Sequence, residues 1–90
     1  MKYPIQSADA LGEIIKATRK SQRLRQDDAA GASGVSESFL GKVESGNTSV
    51  TWGMLFQVLS DLGIELSADI TESAAKQLTI NNRGKQNNNE

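Results

Sequence analysis

The chain has 90 residues, ten of them basic and eleven acidic, with a net charge of -1, no cysteine and no histidine. That composition describes one small mixed-charge globular domain, and it removes disulfides, thiol chemistry and the commonest metal ligands together. No apolar run approaches the length of about 18 residues that a membrane helix needs, and the N-terminus MKYPIQSADA lacks the apolar centre of a signal peptide. A cytoplasmic protein without metal or cofactor is the expectation. At this size one core gives modest stability, so a second chain is an expected source of support.

After an N-terminal extension over residues 1–6, Ser7 is placed to cap a first helix and Asp9 sits in its first turn, where the helix dipole favours an anion. Leu11, Ile14, Ile15 and Thr18 then keep helical spacing, which predicts a helix from Ala8 to about Gln22. A short second helix is predicted over Gln26 to Ser33, with Ala29 and Ala30 inward and Gly34 in the position that takes a left-handed turn. Ser36 caps a third helix from Glu37 to about Ser45, whose Leu40 and Val43 face inward, and Gly46-Asn47 stops it. Thr51 is a further cap, and Leu55, Val58, Leu59 and Leu62 form one stripe of a fourth helix that Gly63 ends.

Beyond Gly63 the pattern alternates. Ile64, Leu66, Ala68 and Ile70 fall on one side, with Glu65, Ser67 and Asp69 on the other, and this predicts a strand over residues 64–70. A lone strand has no ladder, so its natural mate is the same strand of a second copy, giving a symmetric dimer in which Phe56 also takes part. The competing reading is an extended segment folded over the helices. From Thr71 the chain has no usable apolar period and carries five asparagines in its last ten residues, so residues 71–90 are expected to form a flexible tail.

Charge is unevenly placed. Lys16, Arg19, Lys20, Arg23 and Arg25 form a basic run with no acid inside it, whereas Asp61, Glu65, Asp69 and Glu72 lie further on. Taken alone, such a run is more often a solvated helix face than an anion-binding one. Its neighbours decide. Two short helices joined by a break around Gly34, with small Ala30 where the third helix crosses and Leu40 and Val43 locking the pair, have the spacing of a helix-turn-helix, whose second helix enters the DNA major groove. The alternative is an ordinary helical hairpin.

From Leu11 to about Ile70 the sequence resembles the Cro/phage-repressor (Xre-type) helix-turn-helix family, with RQDDAAGASGVSESFLGKVESGN in place of the signature and Glu44-x-Gly46 as its closing residues. The resemblance implies an all-α, lambda-repressor-like domain of four to five helices over residues 7–70, ending in the dimerisation strand. Its layout is most similar to HipB-type antitoxins, which implies a dimeric repressor of its own operon that holds a HipA-like kinase toxin. Three positions depart from the family pattern: Arg25 stands where a capping threonine is usual, Ala29 replaces a larger side chain, and Gly31 lowers helix propensity by about 1 kcal/mol.

On this reading Ser36, Glu37, Ser38, Phe39, Gly41 and Lys42 face the groove. Lys42 can donate to guanine, Ser38 can donate or accept, and Phe39 can press on a thymine methyl or join the core; Glu37 can accept from a cytosine amine or pair with a neighbouring cation. Gln26 matches the family's phosphate-binding glutamine. Arg19, Arg23, Arg25, Ser45, Asn47, Ser49 and Thr51 are the other expected backbone contacts, Thr51 having simple capping as its alternative. The expected partners are an inverted-repeat duplex, a second copy and a toxin of the HipA kind. A stand-alone phage-type regulator or a protein-binding module on the same scaffold would look similar. An enzyme finds little support, because Ser33, Ser36 and Ser38 have no evident base.

Overall fold

The computed structural model describes the backbone of residues 1–88 and the side chains of residues 1–80. It contains five helices, α1 (Ala8–Ser21), α2 (Gln26–Ser33), α3 (Glu37–Glu44), α4 (Trp52–Leu62) and α5 (Glu72–Asn88), and no strand among the described residues. The start of α1 follows from its sequence, since the Ser7 hydroxyl accepts from the Ala10 amide at 3.0 Å. Ser36 caps α3 in the same way, accepting from the Phe39 amide at 3.0 Å. Thr51 stands at the start of α4 but makes no capping bond through its side chain. Arg25, at the start of α2, also caps nothing and instead holds Asp27 through Nη2 at 2.7 Å.

The first four helices end on one device. The amide two residues past the last full turn reaches back five residues to a helix carbonyl, as from Leu24 to Arg19 and from Ile64 to Leu59. The residue before it must adopt a left-handed backbone. Glycine fills that place after α2, α3 and α4, at Gly34, Gly46 and Gly63, but after α1 it is Arg23, with φ 59°. A side chain in this region costs of order 1 kcal/mol relative to glycine, so Arg23 is held there against its own preference.

Ile15, Leu40, Val58 and Leu59 form the fully buried centre, joined by Ala29, Ala30, Val43 and Leu62. Leu11, Leu24, Val35, Phe39, Val50, Leu55 and Ile64 pack around it, half-buried. Helices α1 and α2 each pack against both α3 and α4. The α1–α3 crossing is tight because Gly12 lies under the end of α3: a Cβ there would stand 2.5 Å from the Val43 carbonyl oxygen and 2.8 Å from that of Glu44.

Two expectations for the C-terminal part need correction. Residues 64–70 carry no regular secondary structure; Ile64 rests half-buried against the core, while Leu66, Ala68 and Ile70 are exposed. The reason is physical, since strand geometry needs a ladder that a single copy does not offer. The stretch from Thr71, expected as a flexible tail with no helix placed in it, is helical over Glu72–Asn88. Thr71 caps it by accepting from the Ala74 amide at 3.1 Å, and Ala74, Ala75, Lys76, Gln77 and Leu78 are good helix formers. Every residue from 71 to 80 is exposed, and residues 89–90 lie outside those described. No helix is long and apolar enough to cross a membrane among the described residues.

Candidate nucleic-acid interface

Helices α2 and α3 are joined through Gly34 and held by an apolar inner surface. Ala30 is 1% exposed and Leu40 fully buried. With that face closed, α3 turns Ser36, Glu37, Ser38 and Lys42 to solvent. None of these four is ion-paired among the described residues. Phe39, expected among the base-reading residues, is half-buried and packs against the core, the usual fate of an aromatic spaced four residues from both Val35 and Val43. Gly41 is also half-buried: it sits beside the Gln26 amide at the α2–α3 contact, where a Cβ would meet it at 3.7 to 4.0 Å, an ordinary contact distance.

The loop after α3 is shaped by its own polar groups. The Ser45 hydroxyl donates to the Gly41 carbonyl at 2.8 Å, and the Asn47 side chain accepts from the Ser49 amide at 2.7 Å. Ser49 and Thr51 are exposed, and the Thr51 hydroxyl has no capping duty. Asn47 orders the turn that presents them.

Arg19 is the plain correction within the basic run. It was expected to flank DNA, but only 9% of its side chain is exposed. It donates to Glu44 through Nε at 2.6 Å and Nη2 at 3.0 Å, and to the Leu24 carbonyl through Nη1 at 2.9 Å. The hydrogen bonds to Glu44 hold its pKa above the ordinary value, against the opposing effect of burial, so the guanidinium stays charged inside the domain. Gln26 completes the group, its Nε2 donating to Glu44 Oε1 at 3.2 Å. One carboxylate thus ties α1, α2 and α3. The signal for this was in the register. Gly12, Ile15 and Arg19 share the inward face of α1, and Glu44 follows buried Leu40 by one helical turn. Reading the basic residues as a run, rather than by the face each occupies, missed it.

Of the remaining cations, Arg25 is exposed and chelated by Asp27, whose hydrogen bonds and charge raise its pKa. Arg23, Lys16, Lys20 and Lys42 are exposed, and among the described residues no ion pair involves them. A second surface is apolar. Trp52 and Phe56, 73% and 46% exposed, pair at 5.9 Å on the outer side of α4. Phe56 also lines a groove of about 440 Å³ with Ile64 and Leu66.

A short helix locked by a left-handed glycine to a second one, with the latter's polar face turned out and free, defines a helix-turn-helix protein. The comparisons give the same class. The model of the helix-turn-helix domain family matches residues 10–64. The HTH-type transcriptional regulator y4mF of Sinorhizobium fredii is 36% identical over 66 residues, 73% of this chain and 87% of that protein. Among solved structures, a chain of the HipA-HipB-O2-O3 complex superposes with TM-score 0.70 at 20% identity, over 79% of this chain and all of that one. The restriction-modification controller protein C.AhdI from Aeromonas hydrophila gives 0.58 at 28% identity, over 64% of this chain and 84% of that one. The chain belongs to the helix-turn-helix family of transcriptional regulators, in its Xre-type form.

Proposed function

We propose that the protein is a sequence-specific DNA-binding repressor that works as a symmetric dimer on an inverted repeat in the cytoplasm, at the nucleoid. The observation that carries this reading is α3 itself, buried through Leu40 and Val43 and exposed and polar along Ser36, Glu37, Ser38 and Lys42, with no ion pair there among the described residues. Lys42 and Ser38 read base edges, while Arg23, Gln26, Ser45, Asn47, Ser49 and Thr51 approach the backbone. Arg25 joins them by exchanging Asp27 for a phosphate. Glu37 accepts from a cytosine amine or steers Arg25.

The dimer forms where the apolar side chains Phe56, Ile64, Leu66, Ala68 and Ile70 of two copies meet. Binding to an inverted repeat requires the two α3 helices to stand one DNA turn apart, about 34 to 36 Å. The likeness to chains of the HipA-HipB-O2-O3 and HipB-O4 20mer complexes supports a finer reading, that the protein is an antitoxin repressing its own operon and holding a HipA-like kinase toxin. Substitution of Lys42 and of Arg23 tests the base-reading assignment. Lys42→Ala should cost about 1 to 3 kcal/mol and relax sequence preference, whereas Arg23→Ala should weaken binding to every duplex alike. If Lys42→Ala leaves discrimination intact, α3 does not face the bases through this side chain.

A further inference from the structure

Gln26 opens α2, and its side chain is already placed before any DNA arrives. Its nitrogen donates to Glu44 Oε1 at 3.2 Å. The end of the amide lies against Gly41, where an added Cβ would stand 3.7 Å from Nε2, 3.8 Å from Oε1 and 4.0 Å from Cδ. Glu44 is itself fixed, its side chain 4% exposed and gripped by two Arg19 donors. A carboxylate paired with a guanidinium only accepts, so the amide cannot turn its oxygen towards Glu44 without placing acceptor against acceptor.

We propose that Glu44 is a positioning residue for DNA binding: it takes one Nε2 proton of Gln26 and so holds the other outward, ready for a backbone phosphate. The amide nitrogen would bridge two anions, a buried carboxylate behind and a phosphate oxygen in front. This rests on the DNA-binding reading above. It adds that the buried Arg19–Glu44 pair, besides joining helices, prepays the ordering of a phosphate contact. A free glutamine side chain would lose rotamer freedom on binding; this one has lost it on folding. Gly41 belongs to the same device, since a large side chain there would displace the amide.

A double-mutant cycle separates positioning from simple support of the fold. Anisotropy of a labelled duplex from immediately upstream of the gene would be followed for the wild type, Gln26→Met, Glu44→Gln and the double variant, at a temperature where circular dichroism shows each folded. Gln26→Met, which keeps the length but donates nothing, should weaken binding about tenfold, as should Glu44→Gln. The double variant should be no weaker than Gln26→Met. Gln26→Lys, a donor to both anions, should recover most of the affinity. Effects that add in the double variant would overturn the proposal and leave Glu44 a stabilising residue alone.

The free protein gives an independent reading. The Gln26 side-chain amide should be rigid by ¹⁵N relaxation in the wild type and mobile in Glu44→Gln. A mobile amide in the wild type overturns the proposal whatever the duplex does. A rigid amide released by Glu44→Gln, with no duplex bound by the wild type, would instead sink the DNA-binding reading and the phosphate contact that rests on it.

Discussion

Alanine at two glycines should act in opposite directions, although both sit inside helices. At Gly12 the new Cβ would lie 2.5 Å from the Val43 carbonyl oxygen and 2.8 Å from the Glu44 one, where ordinary contact begins near 3.4 Å, so α1 and α3 would have to part by about 0.9 Å. The obstacles are backbone atoms and cannot rotate aside. Overpacking of this kind costs about 1 to 3 kcal/mol, and the better helix propensity of alanine returns up to about 1 kcal/mol. Gly12→Ala should therefore lose about 1 to 2 kcal/mol. At Gly31 nothing lies within 4 Å of the added carbon. Gly31→Ala should gain about 0.5 to 1 kcal/mol in a helix that is short and uncapped at its start. Urea unfolding followed by far-ultraviolet circular dichroism, at one fixed protein concentration because any dimer makes stability concentration-dependent, would read the difference. Equal stability of the two variants would refute the packing assigned to the α1–α3 crossing.

Other outcomes follow from the same structure. Glu44→Ala leaves Arg19 buried without its counter-charge and should cost about 3 to 5 kcal/mol, a large part of what a domain of this size has. Since the Arg19 pKa is raised by its bonds to Glu44, its stabilising share is complete below the ordinary arginine value and is lost only above it. The gap between wild type and Glu44→Ala should thus stay constant from about pH 7 to pH 10 in thermal melts; a gap that closes in this range would contradict the raised arginine. Arg23→Gly removes a side chain from φ 59° and should stabilise the fold by about 0.5 to 1 kcal/mol while weakening all duplex binding, and a destabilised variant would mean that the arginine packs rather than projects. Leu66→Glu places charge on the expected dimer contact, so sedimentation should show monomer; a dimer would move the interface elsewhere.

Legibility in the sequence varied with how local the cause was. Ser7, Ser36, Gly34, Gly46 and Gly63 announce helix ends by chemistry confined to a few residues, and four helices were readable to within one or two residues. The α3 polar face was readable because its inner neighbours Leu40 and Val43 set the rotation. Arg19 was misplaced because its fate depends on what crosses it from distant chain positions, whereas Phe39, left open between groove and core, is decided by its packing against the core. A basic residue within a basic run looks exposed until Glu44, 25 residues away, is brought against it. The α5 helix was overlooked for the opposite reason: propensity and capping suffice to define it, without the apolar stripe that pattern reading seeks.

Whether α3 reads DNA decides what this protein does. A labelled duplex from immediately upstream of the gene, titrated with the full chain against a scrambled duplex at two salt concentrations, tests that most directly. Tight binding to the native duplex alone, weakening steeply as salt rises, is the expected result. Equal binding to both duplexes, or to neither, would contradict sequence-specific recognition and leave the exposed face of α3 to another partner.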